Sequence, residues 1–485
     1  MSQSRLFRTK SIDDLQSDAA HDHGLKRALS ATDLVLLGIG AIIGTGIFVL
    51  TGTAAANNAG PAVVLSFVLA GLASAFAGLC YAEMASMIPI AGSAYTYAYA
   101  TMGELVAWII GWDLILEYLG GAATVSVGWS GYVVAFCKDV LGVHLPMAWT
   151  TAPLVFDEVT KSFHGTGAIL NLPAAIITLL TTIILIVGVK ESARFNGVIV
   201  VVKLIVVLMF ITLCARFVNP ENWHPFIPPS EGPHRYGWSG IGAGATTVFF
   251  AYIGFDAVST AAQESKNPQR DLPIGILGSL VICTVLYIAV SLVLTGIVHY
   301  SKLGVPHPIA LGVEATGQGW LAAVVDIGAI AGLSSVMVVL LMGQPRVFFA
   351  MAMDGLFPPF AAKVHPRFGT PWVTTIITGL FCAAAGGLLP IGVLGHLTSV
   401  GTLFAFVLVS IGVMLLRLRR PEIPRAFKVP GGPYLVPLLG AVSSSYLVLQ
   451  AGTATLIRLF GWMAIGLVIY FAYGRKHATL GRRAG

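Results

Sequence analysis

Charge is scarce in this chain. Only 10% of its 485 residues are Asp, Glu, Lys or Arg, and 56% are hydrophobic. Soluble domains carry about 25% charged residues, so the composition excludes an ordinary soluble enzyme and reads as an all-α polytopic membrane protein. Cysteine is scarce too. Cys80, Cys137, Cys214, Cys283 and Cys382 stand singly in or at the ends of apolar segments, without metal or redox spacing. They read as small packing residues. The histidines lack metal-site spacing, and His21 and His23 lie in a polar tail. Neither a nucleophile elbow nor an inward histidine pair is present, which argues against a membrane enzyme. No metal and no cofactor is expected. The first thirty residues are polar and of mixed charge, so no cleavable leader is expected. The net charge of +6 lies largely in loops and carries no nucleic-acid signal.

What the sequence has is apolar length. About 20 apolar residues span a bilayer. On that rule twelve spans are expected, at 33–57, 61–87, 104–137, 168–188, 195–217, 241–262, 273–298, 320–343, 371–389, 393–416, 434–454 and 456–474. The boundary between the last two is placed at Leu456–Arg458. An even count puts both termini on one side, and lysine and arginine decide which. Of the 28, Lys138, Lys161, Arg216, Arg235, Lys302 and Arg458 fall on the far side and Lys203 inside a span. All the others, among them Lys190 and Arg194, share the side of the termini. Both termini are therefore expected in the cytoplasm, with 1–30 and 475–485 as tails.

Glycine is concentrated in the first span. Gly38, Gly40, Gly44 and Gly46 fall within Gly-Ile-Gly-Ala-Ile-Ile-Gly-Thr-Gly-Ile-Phe (38–48). Each costs about 1 kcal/mol against alanine inside a helix. Two readings are open. One is a small-residue packing face. The other is a deliberate break, whose freed backbone groups must face protein, water or a ligand. The N–H groups of Gly44, Thr45 and Gly46 would then open a half-helix suited to an anion, and the preceding carbonyls would suit a cation. An amino acid carries both charges. Span six has a second irregular centre, Phe-Phe-Ala-Tyr-Ile-Gly-Phe-Asp (249–256). Two interrupted spans five apart form the pattern of an inverted-repeat secondary transporter.

These two stretches, with Pro-Ile-Ala-Gly-Ser-Ala-Tyr-Thr-Tyr (89–97), Glu-Ser-Lys-Asn-Pro-Gln-Arg-Asp-Leu-Pro (264–273) and Arg346 followed by Ala-Met-Ala-Met-Asp-Gly-Leu-Phe-Pro (350–358), resemble the amino acid–polyamine–organocation superfamily. The resemblance runs from about Leu25 to Tyr473. It looks nearest to cationic amino acid transporters and their bacterial homologues. It implies a LeuT-type fold with helices 1 and 6 discontinuous: inverted repeats at 31–218 and 240–417, then two further helices at 434–474. It implies that the N–H groups of Gly44, Thr45 and Gly46 hold the substrate carboxylate. Carbonyls of Ile42, Phe250, Ala251 and Ile253 would meet the amino group. Phe250 and Tyr252 would help close the site. The 264–273 motif would be a structural loop, with Asn267-Pro268 stopping one helix and Pro273 starting the next. Ser334, Ser335 and Met337 would lie level with the site. A methionine there implies a short pocket and small neutral substrates.

Ionisable residues at membrane depth are functional candidates. Lys203 stands in the run Val-Val-Val-Lys-Leu-Ile-Val-Val (200–207). An unpaired ammonium is costly there, so such a lysine can give up its proton. The resemblance places a helix-five lysine where sodium-coupled relatives bind sodium, which implies proton coupling through carbonyls near Gly38–Ala41. The alternative is a lysine snorkelling to the interface. Asp113 and Glu117 share one helix face. They read as proton carriers, as partners of a cationic substrate, or as a packing pair. Asp256 reads as orienting the second half-helix or bordering the pocket. Asp33 reads as a helix-start residue, and Glu83 and Asp326 as packing partners.

The expected function is proton-coupled amino acid import across the plasma membrane, with amino acid, protons and lipid as partners. An amino acid or polyamine exchanger is the alternative, and a nutrient sensor the second. A potassium transporter would need more acceptor groups in span one. The sequence leaves an accessory subunit and self-association open.

Overall fold

The computed structural model describes residues 5–11, 28–88, 93–157, 160, 162–187 and 193–479. Lys161, Lys190, His21, His23 and residues 89–92 of the 89–97 motif lie outside them, as does the Arg194 side chain.

The described chain is mostly helical. The helices are α1 (Ala31–Ile42), α2 (46–59), α3 (Val63–Met87), α4 (Ser93–Thr101), α5 (Glu104–Asp139), α6 (Leu172–Val187), α7 (Ala193–Cys214) and α8 (Gly237–Phe249). They continue as α9 (Ala257–Thr260), α10 (Pro268–Ile297), α11 (Pro308–Glu314), α12 (Gly319–Met353), α13 (Trp372–Leu388), α14 (Ile391–Arg419), α15 (Leu435–Gln450) and α16 (Thr453–His477). Among the described residues, eight continuous helical stretches are long and apolar enough to cross a membrane. One of them, Gly46–Met87, joins α2 to α3 through Gly60, whose φ of 61° turns the chain. Shorter apolar helices stand at α1, α6, α13 and α15. Each apolar segment counted in the sequence contains a helix.

Local chemistry sets several of these boundaries. Ser30 and Asp33 form a capping box on α1: the Ser30 N–H donates to Asp33 Oδ2 at 2.8 Å and the Asp33 N–H to Ser30 Oγ at 3.4 Å. The backbone before α1 is tied to the 264–273 motif. Ala28 and Leu29 N–H both donate to the Glu264 carbonyl at 2.9 Å, and Lys266 N–H returns to Leu29 at 2.9 Å. In that motif Pro268 starts α10 and Pro273 lies inside it, contrary to the sequence reading. The first helical position needs no N–H partner, so proline fits there.

The last two segments divide earlier than Leu456–Arg458. α15 ends at Gln450, Gly452 turns the chain at φ 81°, and α16 begins at Thr453. Arg458 therefore sits within α16. Its guanidinium lies 4.3 Å from the Phe156 ring and 5.6 Å from the Phe163 ring. Those rings belong to an antiparallel hairpin, β1 (Leu154–Asp157) and β2 (Ser162–Gly165), which the sequence reading did not foresee. It also missed α4 and α11.

The interior is ordered from centre to edge. α8 is buried from Gly240 to Phe249, whereas α16 and much of α7 turn apolar faces outward. One buried carboxylate is fully paired. Glu83 of α3 accepts from Arg417 Nε at 2.8 Å and Nη2, from Arg425 Nε at 3.2 Å and from the Val429 N–H at 2.8 Å. Four donors on one carboxylate explain how a charge is buried there. The ends of the chain converge on the turn after α12. Lys10 Nζ lies 3.3 Å from Asp354 Oδ1, the Tyr95 hydroxyl donates to Asp354 Oδ2 at 2.8 Å, and Thr479 donates through N–H and Oγ1 to the Asp354 carbonyl, both at 3.0 Å.

Candidate functional site

Two central helices lose their geometry at the same place. α1 ends at Ile42, and Ile43 is extended (φ −72°, ψ 100°) before the chain winds again into α2. α8 ends at Phe249, makes a tight turn at Phe250–Tyr252, becomes extended at Ile253 and reverses at Gly254 (φ 109°). The two breaks touch. A methyl group on Gly46 would lie 2.2 Å from Ala251 Cα, and one on Gly254 would lie 3.0 Å from the Ala41 carbonyl oxygen. Among the described residues, the N–H groups of Gly44, Thr45 and Gly46 have no backbone acceptor. They are the orphan donors that open a helix. Thr45 Oγ1 is also buried without a partner. The site thus presents unpaired donors at one end of a break and carbonyls at the other.

Lys203 reaches this break from α7. Its Nζ donates to the carbonyls of Gly40 at 2.9 Å and Ile43 at 3.1 Å, and its side chain is fully buried. Gly40 falls in the stretch expected from the sequence, and Ile43 lies just beyond it. The aliphatic stem runs past Gly332 of α12, where a methyl group would stand 3.1 Å from Lys203 Cε. The ammonium is held inside the fold.

Tyr287 of α10 was not singled out in the sequence. Its hydroxyl lies 2.9 Å from both the Ile42 and the Ala251 carbonyl oxygens, so it bridges the two breaks. Two carbonyls read as ammonium ligands are thus already in contact with a donor. The Phe250 carbonyl accepts the Ile253 N–H at 3.2 Å. The Ile253 carbonyl has no backbone donor among the described residues. The available signal was a tyrosine in mid-span, where the polar tip must find a partner. Tyr252 stacks edge-on against Tyr287 and donates to the Phe67 carbonyl of α3 at 3.0 Å.

The carboxylates gather beside the second break. α5 contains one wide turn at Leu116–Gly120, which carries Glu117 and Tyr118. Such turns are frequent at functional sites. Glu117 lies within hydrogen-bonding reach of Asp256 and Thr402, and its Oε1 has no partner. The Tyr118 hydroxyl approaches Asp256 Oδ2 at 3.5 Å. Two carboxyl groups this close repel each other when both are charged. Asp113 is buried one turn earlier, with Oδ1 unpartnered beside Gly401.

Met337 packs toward α6, where Thr178 Oγ1 lies 3.9 Å from its sulfur. Its neighbour Val336 takes the expected place: a methyl group on Gly44 would stand 3.1 Å from Val336 Cγ2. One residue rotates a helix by about 100°, which separates the two faces. Leu340, one turn on, lies over Gly121 of α5. Ser334 accepts from the Trp129 indole at 2.9 Å.

A family profile described as amino acid permease matches residues 29–470. The chain belongs to this family. The permease is 50% identical over 476 residues to a branched-chain amino acid permease of Bacillus subtilis (strain 168), covering 98% of this chain and 99% of that one. It is 47% identical over 479 residues to a methylthioribose transporter of the same organism, covering 99% and 100%. It is 38% identical over 420 residues to a vacuolar cationic amino acid transporter 4 of Arabidopsis thaliana, covering 86% of this chain and 68% of that one. With its membrane-length helices, the permease is a multi-pass membrane transport protein.

Proposed function

We propose that the permease imports neutral aliphatic amino acids with protons by alternating access, across the plasma membrane and with both termini cytoplasmic. The carrying observation is Lys203 on the carbonyls that end α1. In this reading the chain crosses the bilayer twelve times, with 31–218 and 240–417 as inverted repeats and 434–474 as the added pair. The substrate carboxylate lies on the N–H groups of Gly44, Thr45 and Gly46. Its ammonium meets the Ile253 carbonyl and displaces or shares the Tyr287 hydroxyl on Ile42 and Ala251. Its side chain extends toward Val336 and Leu340. Apolar branched walls favour valine, isoleucine or leucine over lysine, because a buried ammonium without a partner is costly. Glu117 and Asp256 serve as a second proton station, and Asp113 supports them.

The 47% identical relative motivates one other reading, an uncharged thiosugar substrate. Such a molecule carries neither charge that the backbone ends offer. Thermal-shift titration of the purified permease with branched-chain amino acids, lysine and methylthioribose separates the readings. Stabilisation by leucine or isoleucine is expected; stabilisation by methylthioribose alone would replace the amino acid reading.

Selectivity should follow Val336. Val336→Gly opens the space over Gly44 and should raise inhibition of uptake by larger side chains at least roughly tenfold, since a single methylene weighs about 1–3 kcal/mol in such pockets. Met337→Ser should leave the competition profile nearly unchanged. The reverse ranking would return Met337 to the pocket.

Orientation is tested by single cysteines in a background lacking the five native ones. An impermeant thiol reagent added outside intact cells should modify a cysteine at Gly165 of β2 and spare one at Arg420 after α14. Modification of Arg420→Cys alone would invert the topology.

A further inference from the structure

A second group of carboxyls, with Asp326 buried, Glu314 half-buried and Asp139 at the rim, lies away from the break, where the end of α5, the α11 segment and α12 meet. Asp139 ends α5, Glu314 ends α11, and Asp326 projects from α12. Asp326 is only 1% exposed, and both its carboxyl oxygens are buried without a hydrogen-bond partner. Glu314 lies within hydrogen-bonding reach of Asp139, and its Oε1 is also buried and unpartnered. Burial and the Asp139 carboxylate push the Glu314 carboxyl above its usual range.

Positive charge nearby is weak. Lys138 lies 3.3 Å from Asp139 and its side chain is 56% exposed, so water screens it. His307, just before α11, has a buried, unpartnered Nδ1, and burial holds its imidazole below the ordinary value. The Tyr132 hydroxyl of α5 is spent on the Phe48 carbonyl at 2.6 Å. α2, which lies under α11, has no titratable residue. Two carboxyls in contact cannot both stay charged, and a buried carboxylate without a donor needs neutralising. Among the described residues, no group of three or more His, Cys, Asp and Glu has the geometry to hold a metal ion. A proton is the ligand that fits.

We propose that Asp139, Glu314 and Asp326 form a proton-binding site on the outer face, which seats α11 when protonated and releases it when empty. α11 covers the outer half of the first break: Pro306, just before it, packs on Gly131 of α5, and Ile309 lines a small apolar cavity with Ile47 and Phe48 of α2. The seated state assembles the carboxyls and so binds more protons than the open one. Linkage then requires seating to weaken as pH rises. Acid outside closes the lid over the site, and loss of the protons leaves three like charges that push it off. That the face is external, and that the proton drives uptake, rests on the proposed function; the binding site itself does not.

Two measurements on the permease in liposomes, without substrate or gradient, test this. A hydrophobic carbodiimide modifies buried protonated carboxyls. Peptide mapping should find the adduct on Asp326 or Glu314 in acid buffer, falling about tenfold per pH unit above the midpoint. Sodium or calcium at fixed pH should not protect. No adduct in acid, no dependence on pH, or protection by a metal ion would each overturn the proton site. The lid is read by Val313→Cys in a Cys137→Ser background, because Val313 belongs to α11 and is fully buried while the helix is seated. Its labelling rate, normalised to the same cysteine in unfolded protein, should rise about tenfold from acid to alkaline buffer. Glu314→Gln with Asp326→Asn should abolish that rise. A normalised rate equal at both pH values would overturn the lid, whether or not the double variant folds. If labelling follows pH while proton-driven uptake is absent, the site stands and the coupling reading falls. If uptake is proton-driven and labelling ignores pH, the reverse holds.

Discussion

Gly46→Ala is expected to abolish uptake while the protein still reaches the membrane, and Gly44→Ala to do so only in part. The difference lies in what each added methyl group meets. At Gly46 it would stand 2.2 Å from Ala251 Cα, 2.3 Å from Ala251 Cβ and 2.6 Å from Ala251 N. Backbone cannot move aside, so the two breaks must separate. At Gly44 the nearest atom is Val336 Cγ2 at 3.1 Å, the tip of a side chain. Packing of this kind costs roughly 1–3 kcal/mol when a side chain can give way and more when it cannot. Two rescue experiments sharpen the case. Val336→Ala should restore much of the Gly44→Ala activity. Ala251→Gly should not restore Gly46→Ala, since Ala251 Cα and N remain in place. Uptake by Gly46→Ala at the wild-type rate, with equal expression, would remove the contact between the breaks from the mechanism.

Lys203 carries the second large effect. Its ammonium ties α7 to the last carbonyls of α1, and a charged donor holds a carbonyl about twice as strongly as a neutral one. Loss of the proton therefore loosens α1 from α7 without touching the N–H groups read as the carboxylate site. Wild-type uptake into liposomes at fixed inside pH should rise as the outside is acidified. Lys203→Met keeps the stem that packs on Gly332 but leaves the Gly40 and Ile43 carbonyls without their donor. It should lose accumulation against a gradient while retaining leucine binding within about tenfold, a difference of about 1.4 kcal/mol. Lys203→Arg should not restore coupling, because arginine keeps its proton. Proton-driven accumulation by Lys203→Met would make Lys203 a packing lysine. Coupling would then pass to Glu117 and Asp256.

Parts of this were readable without coordinates because they depend on the kind of residue present. Glycines at 38, 40, 44 and 46 weaken any helix, and a lone Lys203 in an aliphatic run demands partners wherever it sits. What depends on rotation about a helix axis was not readable. Met337 and Val336 are adjacent, yet one meets Thr178 and the other overhangs Gly44. Nothing local separates them, since the neighbouring helices decide which face looks inward. Tyr287 escaped notice for a related reason. Its hydroxyl finds acceptors only because two other segments have unwound beside it. The turn at Gly452 was missed because Leu456-Ile457-Arg458 carries the more visible change in polarity, and Arg458 finds its company in the rings of Phe156 and Phe163.

The meeting of Lys10, Tyr95 and Thr479 on Asp354 bears on how this permease is handled at the bench. A purification tag or fluorescent fusion at either end pulls on the same turn between α12 and α13. The two ends are therefore not independent places to attach a reporter. Shortening one changes the footing of the other, and a fusion partner at the carboxyl end is not independent of a second at the amino end. An insertion in the hairpin β1–β2, remote from that junction, leaves it undisturbed.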